Sequence, residues 1–244
     1  ENNSIKNYGF ISTGNFNEST AKIYTDYTLF TADQKILKEV NKVFNFLEVS
    51  YKLKKYKHLI VSPHYSKNIL SKLIDNEIDN NKKGLPSGIN LKINNITNYP
   101  LVDKLYEASQ AGVEVKMIVR GVCCLVPGVK GLSENIKVIS VVDKYLEHPR
   151  VYIFKNAGDR KVYISSADWM TRNIENRVEV GCPIYDKDLQ KEILDTFNIS
   201  WNDNIKARIV NQSPQNNRIK PHTRELKQRS QLLTYAYYEN KLIK

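Results

Sequence analysis

The chain has 244 residues, 41% of them hydrophobic, which is enough to bury a sizeable core and argues against a disordered chain. No apolar run approaches the roughly 20 residues that span a bilayer, and the polar first 20 residues lead us to expect no signal peptide among them. Lys and Arg outnumber Asp and Glu by 37 to 26, a formal charge of +11, which favours polyanionic partners: nucleic acid, anionic lipid or a phosphate polymer.

The chain opens Glu1-Asn2-Asn3 without a methionine, as a piece of a longer protein would. Tyr8 to Ser12 is a short β-like run ending at the turn Ser12-Thr13-Gly14-Asn15, and Ile23 to Phe30 alternates as a strand should. Asp33 then caps a helix with Ile36, Leu37, Val40, Val43, Phe44 and Leu47 at helical spacing. Tyr51 to Lys57 reads as a basic linker. Leu59-Ile60-Val61 predicts a strand, Ser62-Pro63 a turn, and residues 66–80 a helix. Strands follow at 89–93 and 113–119, separated by an amphipathic helix over 101–111 with Gly112 at its end. Cys123 and Cys124 are adjacent and Cys182 stands alone, so no C-x-x-C zinc spacing arises and reduced thiols in a cytoplasmic protein are expected. Further strands are predicted at 136–141, 151–154, 162–165 and 178–182, then a helix over 186–201. Ser213 to His222 is a polar loop, and Arg224 to Leu242 a last basic helix. Strands alternating with helices make this an α/β protein.

An internal repeat organises these elements. Sliding Ile11–Phe46 along by 153 residues lays it on Ile164–Ile199 without a gap. Ile11-Ser12-Thr13-Gly14-Asn15-Phe16 meets Ile164-Ser165-Ser166-Ala167-Asp168-Trp169, and Asp33 and Glu39 meet Asp186 and Glu192. A duplicated unit explains strand, polar turn, strand and helix recurring together. The second copy has about 100 residues before its turn and the first only ten. The expected organisation is therefore the end of a first unit plus linker over 1–57, a complete second unit over 58–212, and a polar loop with a basic C-terminal helix over 213–244.

In the second unit His148-Pro149-Arg150 opens one strand and Ser165-Ser166-Ala167-Asp168 closes the next. A hairpin turning at Asn156-Ala157-Gly158-Asp159 would bring imidazole, guanidinium, hydroxyls and a carboxylate into one pocket. Histidine, with an unperturbed pKa of roughly 6.5, can serve phosphoryl transfer as nucleophile or general acid. Arginine binds phosphate oxygens through paired hydrogen bonds, and the Asp168 carboxylate could orient either. A strand-end histidine is also an ordinary surface residue and Ser-Ser ordinary turn chemistry, so spacing alone leaves both readings open.

His-x-Arg followed by a Ser-rich turn resembles a variant of the phospholipase D His-x-Lys and Gly-Ser-x-Asn motifs, in a superfamily where two facing units each supply one histidine. Six ordered strings resemble polyphosphate kinases of the phospholipase D-like type: Ser-Thr-Gly-Asn-Phe-Asn (12–17), Ala-Lys-Ile-Tyr-Thr-Asp-Tyr (21–27), Ile-Val-Arg-Gly-Val-Cys (118–123), Ser-Glu-Asn-Ile (133–136), Leu-Glu-His-Pro-Arg-Val-Tyr-Ile-Phe (146–154) and Ser-Ala-Asp-Trp-Met-Thr-Arg-Asn (166–173). The match weakens after about Val210. The resemblance implies a phospholipase D-like mixed sheet flanked by helices, with the first unit truncated. It implies reversible transfer of the terminal phosphate of ATP to inorganic polyphosphate through a phosphohistidine, with ATP/ADP and Mg²⁺. Tyr24 matches a nucleotide-contacting tyrosine, Arg120 a phosphate-binding arginine, and His148 the second active-site histidine, proton donor to the leaving group. Arg177 takes the register of Tyr24 in the repeat and is a further phosphate ligand, with Arg150, Ser166, Asp168 and Asn15 also expected at phosphate. No metal ligand is assigned. The phosphorylated histidine belongs to the His-x-Lys strand of the first unit, which is absent from these 244 residues.

Three departures stand out. Arg150 replaces the phospholipase D lysine, with Lys155 where that motif has Asp. Asp168 stands where Asn is expected, although Asn15 keeps it in the first unit. Phe10 occupies a position often His in the family. The first two speak against a phosphodiesterase of this superfamily, one alternative; a non-catalytic polyanion-binding paralogue is the other. The linker Tyr51–Lys57 and the final helix interleave Lys and Arg with Tyr, a pattern that tracks polyanions or simply faces solvent. A homo-oligomer acting on nucleotide and polyphosphate is expected, without specific nucleic-acid binding. The basic charge leaves association with the inner face of a membrane open.

Overall fold

The computed structural model describes residues 6–49, 54–211, 217–221 and 226–242. Part of the basic linker, half of the loop 213–222 and the start expected for the last helix lie outside the described residues.

Eight strands form one mixed sheet in the order β12-β7-β6-β5-β9-β10-β11-β4. Its centre is parallel: β5 (Ile89–Ile93), β6 (Val115–Val119) and β7 (Ile136–Ser140) run together. The connection from β5 to β6 is α4 (Tyr99–Gln110), capped by Asn98, whose side chain accepts from the Leu101 N–H. Beyond β5 the sheet is antiparallel through β9 (Arg150–Phe154), β10 (Lys161–Ser165), β11 (Val180–Ile184) and β4 (Ile60–Val61). β12 (Arg208–Val210) closes the other edge against β7.

Alternation along the strands makes two cores, one on each face. Ile89, Leu91, Tyr152 and Phe154 pack with α4 and with α3 (Ser66–Lys82). Val151, Ile153, Val162 and Ile164 pack on the other face with Ile193 and Phe197 of α5 (Lys187–Trp201) and with Ile36 and Val43 of α2 (Gln34–Glu48). The end of the first unit therefore shares the α5-side core. Buried Glu39 ties the two together by accepting the N–H groups of Lys57, His58 and Leu59.

The repeat survives in three dimensions. β1 (Gly9–Ser12) pairs antiparallel with β3 (Thr28–Thr31), Gly9 opposite Thr31 and Ser12 opposite Thr28. Adding 153 gives Val162 opposite Ile184 and Ser165 opposite Gly181, the register of β10 with β11. The same shift carries α2 onto α5, and the Asp33 cap, accepting from the second and third residues after it, onto Asp186.

Several boundaries differ from expectation. Residues 23–30 are not one strand. After a single short helical turn, α1 (Glu18–Ala21), the chain makes β2 (Tyr24–Thr25), breaks at Asp26 and Tyr27, and resumes as β3. β2 leaves the first unit to pair, parallel, with β8 (Leu146–Glu147) of the second. That pairing is long-range and leaves no mark on local alternation. The last helix, α6, begins at Ser230 and runs to Leu242, with 226–229 not helical. The hairpin between β9 and β10 turns at Asn156–Gly158, with Asn156 and Ala157 at positive φ, 45° and 55°.

Candidate active site

The pairing of β2 with β8 seats Tyr24 against His148. Their rings stack at 4.9 Å between centroids and 27° between planes. The break after Thr25 turns the next residue inward, and the Asp26 carboxylate meets His148 Nδ1 at 3.0 and 3.1 Å. A carboxylate only accepts, so this contact assigns the imidazole proton to Nδ1. On the ring's other nitrogen Nε2 lies 2.8 Å from Arg150 Nη1.

The β9–β10 hairpin brings Arg150 opposite Ser165 and so beside the turn that carries Asp168. Arg150 is 7% exposed and Asp168 4%. Arg150 donates through Nε and Nη2 to Asp168, at 3.2 and 3.1 Å, the paired geometry a guanidinium offers a carboxylate. Its Nη1 also donates to the carbonyl oxygens of Thr13 and His148. Asp168 further accepts the backbone N–H groups of Asn94 and Asn95 and the side-chain amide of Asn95. Burial pushes the Asp168 carboxyl up, but the Arg150 guanidinium and these donors outweigh it and hold the group below the usual carboxylate range. Both groups expected at phosphate are thus already committed to each other and to the backbone.

Arg120, at the end of β6, donates from Nε to Asn94 Oδ1 at 2.8 Å, and Asn94 Nδ2 donates to the His148 carbonyl. One asparagine therefore joins the expected phosphate arginine to the expected histidine. Gly121 makes room for the neighbouring Asn95 side chain, because a Cβ there would stand 2.6 Å from Asn95 Oδ1. Arg177 is exposed, at the end of a helical turn spanning Arg172–Asn176, and lies outside this network. Asn15 is exposed in the first turn. Ser166 donates to Glu179 and receives the Val180 N–H.

The two turns repeat in detail. Thr13 Oγ1 donates to Asp26 and accepts the Tyr27 N–H, as Ser166 does with Glu179 and Val180. Asp26 and Glu179 stand 153 residues apart, so an acid at both places was the sequence signal that could have found them. Asn173, buried, donates to Glu179 at 2.6 Å. Asn94 and Asn95 follow β5 without any motif, and nothing in the local sequence marks them.

The profile described as "Polyphosphate kinase C-terminal domain 2" matches residues 59–231, and "Polyphosphate kinase C-terminal domain 1" matches residues 1–53. The chain belongs to the polyphosphate kinase family. It is 50% identical over 240 residues to the polyphosphate kinase of Escherichia coli K12, and equally so to that of Klebsiella pneumoniae. Each match covers 98% of this chain and 35% of the relative. The crystal structure of polyphosphate kinase from Porphyromonas gingivalis superposes with a TM-score of 0.92 at 41% identity, covering 97% of this chain and 36% of that one. The chain thus spans about 35% of the length of the curated polyphosphate kinases it matches. Among the described residues no helix is long and apolar enough to cross a membrane. Among them, too, no group of three or more His, Cys, Asp or Glu side chains is placed to hold a metal ion.

Proposed function

We propose that the protein containing this chain transfers the terminal phosphate of ATP reversibly to inorganic polyphosphate, and that this chain supplies one half of the site. The observation that carries this reading is the single network of Tyr24, Asp26, His148, Arg150, Asn94 and Arg120 at the seam of the two units.

In this reading a histidine of the first unit's missing strand attacks the γ-phosphorus. The bond to the β,γ-bridging oxygen breaks, ADP leaves, and the phosphoryl group then passes to the terminal oxygen of the polymer. His148 faces the leaving group; with Asp26 holding its Nδ1 proton, it takes up a second proton on Nε2, where Arg150 Nη1 stands in this structure, and as the imidazolium donates that proton to the leaving oxygen, a role typically worth about 10²–10⁴-fold. Asp26 holds its Nδ1 proton and so fixes the ring. Arg150 and Asp168 brace the ring from the other side, which leaves phosphate binding to Arg120 and Arg177, with Asn15 and Ser166 at the turns. Tyr24 offers its free face to the adenine base. Glu179, equivalent to Asp26, would orient the first unit's histidine. Mg²⁺ would neutralise phosphate charge, but the described residues offer it no cluster of ligands and no step here runs through the ion. The units 1–57, 58–212 and 213–244 remain the working division of the chain.

Incubating the full-length protein with labelled ATP tests this. Formation of acid-labile histidine phosphate and of polyphosphate, both lost in a variant lacking the first-unit histidine, is the expected result. Turnover of a phosphodiester without histidine labelling would replace it with the phosphodiesterase reading, and neither activity with a polyphosphate-binding reading.

A further inference from the structure

β8 is only two residues long, and a strand that short cannot hold its place by β pairing alone. On one side β2 supports it: the Leu146 and His148 N–H groups donate to the carbonyls of Ile23 and Thr25. On the other side no strand stands among the described residues. There the Gln231 side chain, from the first turn of α6, accepts the Tyr145 N–H at 3.0 Å and donates to the Tyr145 carbonyl at 2.9 Å. A side-chain amide thus occupies the place of a neighbouring strand's peptide group. The same Gln231 Nε2 also reaches Glu147 at 3.2 Å.

Glu147 is fixed from a third direction. Lys92, on the middle strand β5, is almost fully buried and ion-pairs with Glu147 while donating to Ser200 of α5 at 3.1 Å. Glu147, Lys92, Gln231 and Asp26 all line one cavity of about 270 Å³. α6 itself is anchored at its start, where Arg229 pairs with Asp143 through two hydrogen bonds of 2.7 and 2.6 Å, and Asp203 accepts the Ser230 N–H.

We propose that Gln231 is a positioning residue for His148: the C-terminal helix, through this one amide, holds β8 against β2 and so keeps the imidazole on Asp26 and under Tyr24. Gln231 touches none of the reacting groups; it acts through the Tyr145 backbone and Glu147. The kinetic part of this inference rests on the function proposed above for His148, and the structural part does not.

The test uses the full-length protein with Gln231→Met, which keeps the side chain's length and removes its hydrogen bonds, and Gln110→Met, remote from the site, as control. Amide exchange of the peptide covering residues 144–149 rises about tenfold in Gln231→Met, in keeping with loss of one or two net hydrogen bonds. Exchange elsewhere and the melting temperature stay near wild type. Polyphosphate synthesis falls about tenfold in kcat. The loss is not additive with that of Asp26→Asn, because both act through the seating of one ring. Unchanged exchange at 144–149 would overturn the clamp. Raised exchange with an undiminished kcat, in an enzyme that His148→Ala inactivates, would overturn the positioning role. Additive losses with Asp26→Asn would do the same. Full activity in His148→Ala would instead point to failure of the function proposed for His148, and the exchange result would still decide whether the clamp exists.

Discussion

The two turns of the repeat pair their strands in the same register and differ in side chains that decide where the acid goes. In the first, Gly14 leaves room, and the short Asp26 side chain lies so close that a Cβ on Gly14 would sit 2.0 Å from its carboxylate. In the second, Ala167 fills that room, the acid is the longer Glu179, and it settles on Ser166 and Asn173. The next position differs as well. Asn15 is exposed, whereas Asp168 is buried against Arg150. One turn thus sends its acid across to the histidine of the other unit, while the second devotes an acid to bracing that histidine's own strand. A duplicated scaffold has come to supply different chemistry at equivalent places.

The largest effect expected from breaking this asymmetry is at His148 itself. In the full-length protein His148→Ala should lower polyphosphate synthesis about 10²–10⁴-fold while leaving the melting temperature close to wild type, as turnover and calorimetry would show. Arg150→Met attacks the second turn. It leaves the Asp168 carboxylate buried without its partner, and removing one member of such a pair typically costs about 3–5 kcal/mol. Denaturant unfolding should show that loss of stability before any assay of activity is informative.

Gly14→Ala would make the first turn resemble the second. The added methyl group displaces Asp26 from Thr13 and His148. A hydrogen bond to a charged group is worth about 1.5–3 kcal/mol, so kcat should fall roughly tenfold to a hundredfold with the fold intact. If Gly14→Ala together with Asp26→Glu recovered activity, the match between turn residue and acid length would be established.

Much of this scaffold was legible in the sequence. The 153-residue shift placed both turns, both helices and the Asp33 and Asp186 caps, because those features arise from local spacing and capping chemistry. The strand alternation gave nearly every strand of the sheet. What the sequence concealed depends on distant partners. Residues 23–30 alternate throughout, and only the pairing of Tyr24–Thr25 with Leu146–Glu147 breaks them in two. Asn94 joins Arg120 to His148 yet has no local pattern to mark it. Arg150 and Asp168 were visible as candidate site residues, but their burial against each other, which commits these hydrogen bonds to the protein, depends on the hairpin and on the backbone of Asn94 and Asn95.

A smaller effect distinguishes the two turns by acid. The folded pKa of Asp168 lies below its unfolded value, so the unfolded chain takes up the proton more readily. The stability this contributes is complete above the unfolded value of about 3.9 and is lost as pH falls from there through the folded pKa. The stability advantage of wild type over Asp168→Asn should therefore shrink below about pH 4, measured by urea unfolding across pH. Smallest of all is His64→Ala. His64 is exposed and meets Phe46 edge-on at 5.1 Å, outside both turns, and its removal should change activity little and stability by no more than about 0.5 kcal/mol.

The central claim is that His148 supports the transfer and does not carry the phosphate. The direct measurement is to label the full-length protein with γ-labelled ATP, digest it under alkaline conditions that preserve histidine phosphate, and map the labelled peptide in wild type and in His148→Ala. The account predicts one labelled histidine, outside the 244 residues of this chain and still labelled when His148 is replaced. Label on the peptide containing His148, lost in His148→Ala, would contradict it.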